Sequence, residues 1–216
     1  MNARNDDLEY FCLVIFDGNE PRCLDLDWFP QHVISFGRAP ENDVVLPSPL
    51  VSRRHGCLVR ADGGYSVEVD PRSTNGVFFD GRLISRMELR DGDCLRIDRQ
   101  AELRDPQGVL LLFSLNRGPL RWWKPFPLEG RSLVRLGRDP FCDLALSSPG
   151  VSRLHAVLER RAYDWILSDN DSTNGILLNG RLLHRHTALQ DRDVLVLGGE
   201  KLVYAGGKLW YETSEV

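Results

Sequence analysis

Short apolar runs alternate with turn-forming residues along almost the whole chain. Tyr65, Val67 and Val69 alternate with Ser66 and Glu68, the period of two expected of a half-buried strand. Further apolar runs occupy 11–16, 57–59, 109–115, 155–158, 194–197, 201–204 and 209–211. Between the runs stand Asp17-Gly18, Asp62-Gly63-Gly64, Asn75-Gly76, Asp80-Gly81, Asp91-Gly92, Asn174-Gly175 and Asn179-Gly180. Asn, Asp and Gly accept the backbone angles of tight turns. Many short strands with dense turns predict a β-sandwich and little helix. The one stretch with helical character, 24–29, is cut short by Pro30, whose ring cannot continue a helix.

The pattern occurs twice. Ile34-Ser35-Phe36-Gly37-Arg38 returns as Val134-Arg135-Leu136-Gly137-Arg138, and Val51-Ser52-Arg53-Arg54-His55 as Val151-Ser152-Arg153-Leu154-His155. Both pairs are offset by 100 residues. Ser73-Thr74-Asn75-Gly76 returns as Ser172-Thr173-Asn174-Gly175 at an offset of 99, and Asp91-Gly92-Asp93 as Asp191-Arg192-Asp193 at 100 again. So long a period is domain duplication rather than a solenoid. Asn116-Arg117-Gly118-Pro119 reads as the linker, which divides the chain into 1–117 and 118–216. The strand before each Ser-Thr-Asn-Gly is read as one residue longer in the first copy, which leaves its register open in one of them.

Composition narrows the function classes. The 216 residues are 42% hydrophobic and 27% charged, enough apolar surface for two small cores. With 27 basic and 31 acidic residues the net charge is −4, and no basic excess supports nucleic-acid binding. No apolar run is long enough to span a bilayer, and the polar, acidic N-terminus does not resemble a signal peptide. The five cysteines (12, 23, 57, 94 and 142) include no CxxC pair, so neither a zinc site nor a disulfide scaffold is expected, and a reducing cytoplasm is the expected setting. Three of the 27 basic residues are lysine, leaving 24 arginines. Arginine suits oxyanion recognition, though a GC-rich genome gives the same bias.

Taken singly, Arg38 after Gly37 reads as a surface ion pair, Ser52-Arg53 as a loop end and Thr74-Asn75-Gly76 as a tight turn. Their joint return as Arg138, Ser152-Arg153 and Thr173-Asn174-Gly175 weighs against coincidence. All are hydrogen-bond donors, as the acceptor oxygens of a phosphate require. No Gly-rich phosphate loop exists, so a nucleotide cofactor is not expected. An enzyme is set aside. No Gly-x-Ser-x-Gly elbow occurs, and His184-Arg185-His186 lacks a third metal ligand. No catalytic residue, metal or cofactor is therefore assigned.

Gly-Arg, Ser-x-x-His and Ser-Thr-Asn-Gly, found in order in both halves and followed in the second by Asn179-Gly180, resemble the signature of forkhead-associated (FHA) domains. Asn42-Asp43-Val44-Val45-Leu46 and Cys142-Asp143-Leu144-Ala145-Leu146 resemble the family's Asp-aliphatic-x-Leu segment. The resemblance implies an all-β chain of two tandem β-sandwiches of about eleven strands each. It implies phosphothreonine-peptide binding in loops at one end. The phosphate-contacting arginine falls on Arg38 and Arg138, the phosphate-binding serine on Ser52 and Ser152, and the next position on Arg53 and Arg153. The turn threonine falls on Thr74 and Thr173, and the asparagine that bonds the peptide backbone on Asn75 and Asn174. Gly37, His55, Gly76, Gly137, His155 and Gly175 fall on supporting positions, the histidines tying the loops together. Asp80-Gly81 replaces the second Asn-Gly of the first copy, and Asp serves as a turn residue there too.

The implied partners are threonine-phosphorylated proteins, substrates of a Ser/Thr protein kinase or including one, with no nucleic acid and no membrane insertion. Two competent pockets are expected. Loops 39–41, 139–141, 78–80 and 177–179 differ between the copies, so the two preferences are expected to differ. The alternative is a phosphate-independent scaffold or homo-oligomer. For it, Trp122, Trp123, Phe126 and Pro127 form a partner patch rather than filling a first strand and an interdomain seam. Arginine bias and the compact tandem arrangement point to a bacterial protein, in a kinase network or a secretion-system regulator.

Overall fold

The computed structural model describes residues 9–18, 20–101, 105–117 and 122–213. Contact clustering divides the chain into two compact units, Met1–Arg121 and Trp122–Val216. Both are all-β.

Among the described residues the first unit has eleven strands. They are β1 (Glu9–Phe16), β2 (Arg22–Asp25), β3 (Val33–Gly37), β4 (Val44–Val45), β5 (Gly56–Ala61), β6 (Gly64–Val69), β7 (Gly76–Phe79), β8 (Arg82–Ile84), β9 (Arg86–Leu89), β10 (Cys94–Asp98) and β11 (Val109–Arg117). One sheet runs β2-β1-β11-β10-β7-β8 and the other β4-β3-β5-β6-β9. Leu13 and Ile15, Ile34 and Phe36, and Leu111 and Phe113 enter one buried cluster that draws on both sheets. Each pair is two residues apart, so the alternation seen in the sequence becomes the inner faces of a sandwich. Ser66 departs from the half-buried reading of β6. It is buried as well, at a register position between Val59 of β5 and Glu88 of β9. The stretch at 24–29 holds a single 3-10 turn, Leu26–Trp28, capped by the Asp25 carboxylate accepting from the Asp27 N–H at 3.0 Å.

The second unit also shows eleven strands. They are β12 (Trp122–Pro127), β13 (Leu133–Gly137), β14 (Leu144–Ala145), β15 (Ala156–Arg161), β16 (Asp164–Asp169), β17 (Ile176–Leu178), β18 (Arg181–Leu182), β19 (Thr187–Ala188), β20 (Asp193–Leu197), β21 (Glu200–Ala205) and β22 (Lys208–Thr213). Its sheets run β12-β22-β21-β20-β17-β18 and β14-β13-β15-β16-β19. The copies differ at one sheet edge. The strand beside β11 is β1, from the start of its unit, whereas the strand beside β21 is β22, from the end of its unit. Of the aromatic segment, Phe126 packs against the core beneath the Arg131 guanidinium, 4.8 Å from its ring centre. The side chain of Trp122 lies outside the described residues.

The one-residue difference between the copies is not in the strand, as the sequence reading had it. Strands β6 and β16 have equal length and pair in the same register, Gly56 with Val69 and Ala156 with Asp169. The next residue again matches, because Asp70 N–H donates to His55 O and Asn170 N–H to His155 O. The difference lies in the following turn, where Pro71-Arg72 stands opposite Asp171.

All five cysteines are free thiols. Among the described residues no group of three or more His, Cys, Asp or Glu side chains could hold a metal ion, and no helix is long and apolar enough to cross a membrane.

Candidate functional site

Strand β3 ends at Gly37, and the backbone of the Ser52-Arg53 loop lies directly against it. A Cβ at residue 37 would collide with the Arg53 carbonyl and stand 2.9 Å from Asn42 Nδ2. Only glycine leaves room for this approach. Arg38 N–H donates to Ser52 O at 2.9 Å and Ala39 N–H to Arg53 O at 3.1 Å. The second unit repeats the arrangement. A Cβ at Gly137 would collide with the Arg153 carbonyl, Arg138 N–H donates to Ser152 O at 2.9 Å, and Asp139 N–H donates to Arg153 O at 3.0 Å.

The same approach aims the first arginine. Arg38 Nε donates to Val51 O at 3.2 Å, and Arg138 Nε to Val151 O at 3.2 Å. Both guanidinium groups keep their terminal amines for a ligand, and a guanidinium so placed offers a planar fork.

The turn before β7 joins the loop through its hydroxyl. Thr74 N–H donates to Ser52 Oγ at 2.9 Å, and Thr173 N–H to Ser152 Oγ at 3.1 Å. In the second unit the two hydroxyls, Ser152 Oγ and Thr173 Oγ1, also lie 3.4 Å apart. Asn75 Nδ2 donates to Leu50 O at 2.8 Å, and Asn174 Nδ2 to Gly150 O at 2.8 Å. Each asparagine thus spends its donor on the loop and keeps its Oδ1 acceptor. Gly76 and Gly175 make room for leucines of β8 and β18: a Cβ at 76 would collide with Leu83, and one at 175 would stand 2.8 Å from Leu182 Cδ1.

Beneath the loop, each histidine is fully buried and takes the Ser N–H on Nδ1, at 3.1 Å for His55 and 3.0 Å for His155. With Nδ1 accepting, the neutral ring carries its proton on Nε2. His155 Nε2 meets Gly175 O at 3.0 Å, while His55 Nε2 has no partner among the described residues. Burial pushes the His55 pKa down to about 4, against a smaller opposing pull from Asp70.

Arg38, Ser52, Arg53 and Thr74 line one open cavity of about 1000 Å³. Arg138, Ser152, Arg153, Thr173 and Asn174 line another of about 340 Å³. Asn75 is not among the residues lining the first cavity, although its counterpart Asn174 lines the second.

Three residues of the first site escaped the sequence reading. Arg54 and Arg72 line the first cavity. Arg54 stands inside the Ser-x-x-His motif and Arg72 in the longer turn, so the signal was the difference between copies. Asn42, buried, donates from Nδ2 to Ala39 O at 2.8 Å and to Arg53 O at 2.7 Å, pinning both sides of the Arg38 loop. Its counterpart Cys142 makes one contact from Sγ to Arg153 O at 3.3 Å. Asn42 was noted only as part of a segment, as was the neighbouring Asp43. Asp43 accepts from Ser35 N–H and Oγ at 2.7 and 2.6 Å, and chiefly the hydroxyl bond holds its pKa below the usual carboxylate value. In the second unit Arg135 binds Asp143 in the same place and likewise lowers its pKa.

An ABC transporter ATP-binding/permease protein of Mycobacterium tuberculosis is 41% identical over 68 residues, 32% of this chain and 8% of the relative. Mediator of DNA damage checkpoint protein 1 of Mus musculus is 45% identical over 74 residues, 33% of this chain and 4% of the relative. The chain thus spans less than a tenth of the length of either curated relative. Among solved structures, the N-terminal FHA domain from EssC, a component of the bacterial type VII secretion apparatus, aligns with a TM-score of 0.40 at 19% identity, covering 95% of this chain and 93% of that one. The FHA domain model matches residues 34–98 and 134–198, more than half of the sequence and both of its loop clusters: the chain belongs to the FHA domain family, in two copies.

Proposed function

We propose that each unit binds a phosphothreonine peptide and that the chain is an adaptor recruiting threonine-phosphorylated partners through two pockets. The observation that carries this reading is the repeated loop arrangement. In both units the Ser Oγ accepts the Thr backbone N–H of the facing turn. That bond uses a lone pair of the serine; the Ser52 O–H is left for an incoming anion, and the Ser152 O–H, which meets Thr173 Oγ1 at 3.4 Å, turns from that long bond to the anion. The adjacent guanidinium supplies the charge-assisted bonds, each contributing about 1.5–3 kcal/mol net. In this reading Arg53 and Arg153 reinforce the phosphate contact, Asn75 and Asn174 offer Oδ1 to a peptide N–H, and the buried histidines hold the loops. The reading assigns no catalytic step to the site. FHA domains are binding modules.

The domain boundary stays at the linker, with 1–117 and 118–216 as the two recognition units, although Asn116 and Arg117, read from the sequence as part of that linker, belong to β11 and pair with Tyr10 and Glu9. Threonine phosphate is written by protein kinases that use cytoplasmic ATP, and we place the encounter in the cytoplasm. Two pockets on one chain bridge two partners, or hold one doubly modified partner by avidity where the spacing matches.

The test is binding of the full chain to a degenerate phosphothreonine peptide library, with phosphoserine and unphosphorylated libraries as controls. Arg38→Ala and Arg138→Ala are each expected to lose one class of peptide, and the double variant both. A folded wild-type chain that retains no phosphate-dependent peptide would refute the reading. Undiminished binding of a phosphatase-treated partner would favour a phosphate-independent scaffold.

A further inference from the structure

The two cavities differ in a way that the shared motif does not require. The first is about 1000 Å³ and is lined by four arginines, Arg38, Arg53, Arg54 and Arg72. The second is about 340 Å³ and is lined by two, Arg138 and Arg153. Where the first copy has Arg54 the second has Leu154, and where the first has Pro71-Arg72 the second has Asp171. Arg54 follows Ser52 by two residues and Arg72 precedes Thr74 by two. They therefore leave the two loops that the Thr74 N–H to Ser52 Oγ bond joins.

None of the four guanidinium groups forms an ion pair among the described residues. Glu41 and Asp70 also line the first cavity. Asp70 Oδ1 accepts the backbone N–H of Arg72 at 2.9 Å. These two carboxylates offset part of the positive charge, so net wall charge does not separate the cavities. What separates them is room and the number of unfilled guanidinium forks. A phosphate carries about −1.5 to −2 at neutral pH and three acceptor oxygens, a demand that two arginines and a hydroxyl meet in the second cavity. In the first, Arg54 and Arg72 are surplus to that demand.

We infer that the first pocket has a second anion subsite, formed by Arg54 and Arg72. Its preferred ligand is a peptide carrying another phosphate or an acidic side chain close to the phosphothreonine, whereas the second pocket takes singly phosphorylated peptides. The inference rests on the phosphothreonine reading of the primary pocket. An extended peptide advances about 3.3 Å per residue, so the second anion belongs within a few residues of the first. The shared chemistry is an oxyanion held by guanidinium forks, and phosphate and carboxylate sources are told apart by experiment.

The test uses the full chain carrying Arg138→Ala, so that only the first pocket reports. The probes are fluorescein-labelled, alanine-based peptides with one fixed phosphothreonine. A phosphoserine, a glutamate or a serine is moved stepwise up to about four residues to either side, about 13 Å of extended chain. At one or more positions the second phosphate is expected to tighten binding by about tenfold or more. The Arg54→Ala/Arg72→Ala pair is expected to remove that gain, weakening the doubly phosphorylated peptide far more than the singly phosphorylated one. An equal gain from glutamate assigns the subsite to carboxylates; a gain from phosphoserine alone assigns it to phosphate. The inference is overturned if no position gains, if the gain survives in the Arg54→Ala/Arg72→Ala chain, or if an Arg38→Ala chain reporting the second pocket shows the same gain. In each of those cases Arg38-dependent binding of the singly phosphorylated peptide leaves the primary reading standing. Loss of that binding in a chain whose circular dichroism and melting point are unchanged from wild type overturns both.

Discussion

Ser52 and Thr74, 22 residues apart, are joined by a single bond from the Thr74 N–H to Ser52 Oγ at 2.9 Å. The bond does two things at once. It closes the 52–53 loop onto the turn before β7, and it leaves the serine proton for a ligand oxygen. Ser52→Ala removes both functions. Because Thr74 is exposed, water satisfies its freed N–H, and the stability loss is expected to be about 1 kcal/mol or less. The loss in phosphopeptide affinity at the first pocket is expected to be larger, about tenfold or more, since a bond to a charged group is removed. Titration of the full Arg138→Ala chain with and without Ser52→Ala, alongside urea denaturation, separates the two effects. An affinity unchanged by Ser52→Ala would remove the serine from the phosphate site.

Arg38→Lys tests whether geometry or charge matters at the first position. The Nε bond to Val51 O at 3.2 Å fixes the guanidinium plane. Lysine keeps the charge but has neither the Nε donor nor the fork. The expected outcome is a loss of about tenfold or more in affinity with little change in melting temperature. Retention of wild-type affinity would show that the site needs only a positive charge.

Glycine at 37 has a steric reason that can be tested without a ligand. A Cβ there meets backbone at the Arg53 carbonyl, which cannot swing away as a side chain tip would. Gly37→Ala is expected to destabilise the first unit by about 1–3 kcal/mol and to lower affinity at the first pocket, because loop and strand must separate. Gly137→Ala is expected to do the same in the second unit. Denaturation and peptide titration of each variant check both halves of the statement. Full stability with full affinity would show that the loop accommodates the methyl group.

Acid is expected to weaken the first unit through His55. Its folded pKa is about 4 because it is buried, against about 6.5 in an unfolded chain. The unfolded state therefore takes up the proton first as pH falls. Stability is fully present above about pH 6.5 and is lost progressively down to about pH 4. Between pH 7 and pH 5 the expected loss is about 2 kcal/mol from this group. Protonation also removes the Nδ1 acceptor of the Ser52 N–H, so loop order is lost with stability. Urea denaturation of the full chain at the two pH values, compared with His55→Gln, isolates the histidine. A wild-type pH dependence matching that of the variant would contradict the assignment.

Strand periodicity made the fold legible. Leu13 and Ile15 or Leu111 and Phe113 alternate because one face of each strand meets the core, and Gly-Arg, Ser-x-x-His and Ser-Thr-Asn-Gly repeat because they pin loops to one another. Other features were not legible because they depend on contacts across the fold. The length difference looked like a strand difference until the pairing of Gly56 with Val69 and Ala156 with Asp169 placed it in the turn. The exchange of β1 for β22 beside the part of the sheet that both copies share has no local sequence signature, since neither strand's residues name the neighbour it pairs with. Arg54 and Arg72 are unremarkable surface arginines in one dimension and share a cavity in three.

Asn42 shows what the motif leaves out, and the second copy supplies its control. Asn42 Nδ2 donates two bonds of 2.7–2.8 Å to the Arg53 and Ala39 carbonyls. Cys142, in the same place, offers one thiol contact of 3.3 Å to the Arg153 carbonyl. A thiol is a weak donor, so Cys142→Ala is expected to cost about 1 kcal/mol or less. Asn42→Ala leaves two carbonyls without their shared donor in a nearly buried site, and the expected loss is about 2–3 kcal/mol. The loss should reach function too, because Arg53 and Ala39 flank the loop that carries Arg38. Asn42→Ala is therefore expected to weaken phosphopeptide binding at the first pocket, and Cys142→Ala to leave the second nearly unchanged. Paired denaturation and titration of the two variants would decide it, and equal losses in both would mean that the loop is held by its backbone bonds alone.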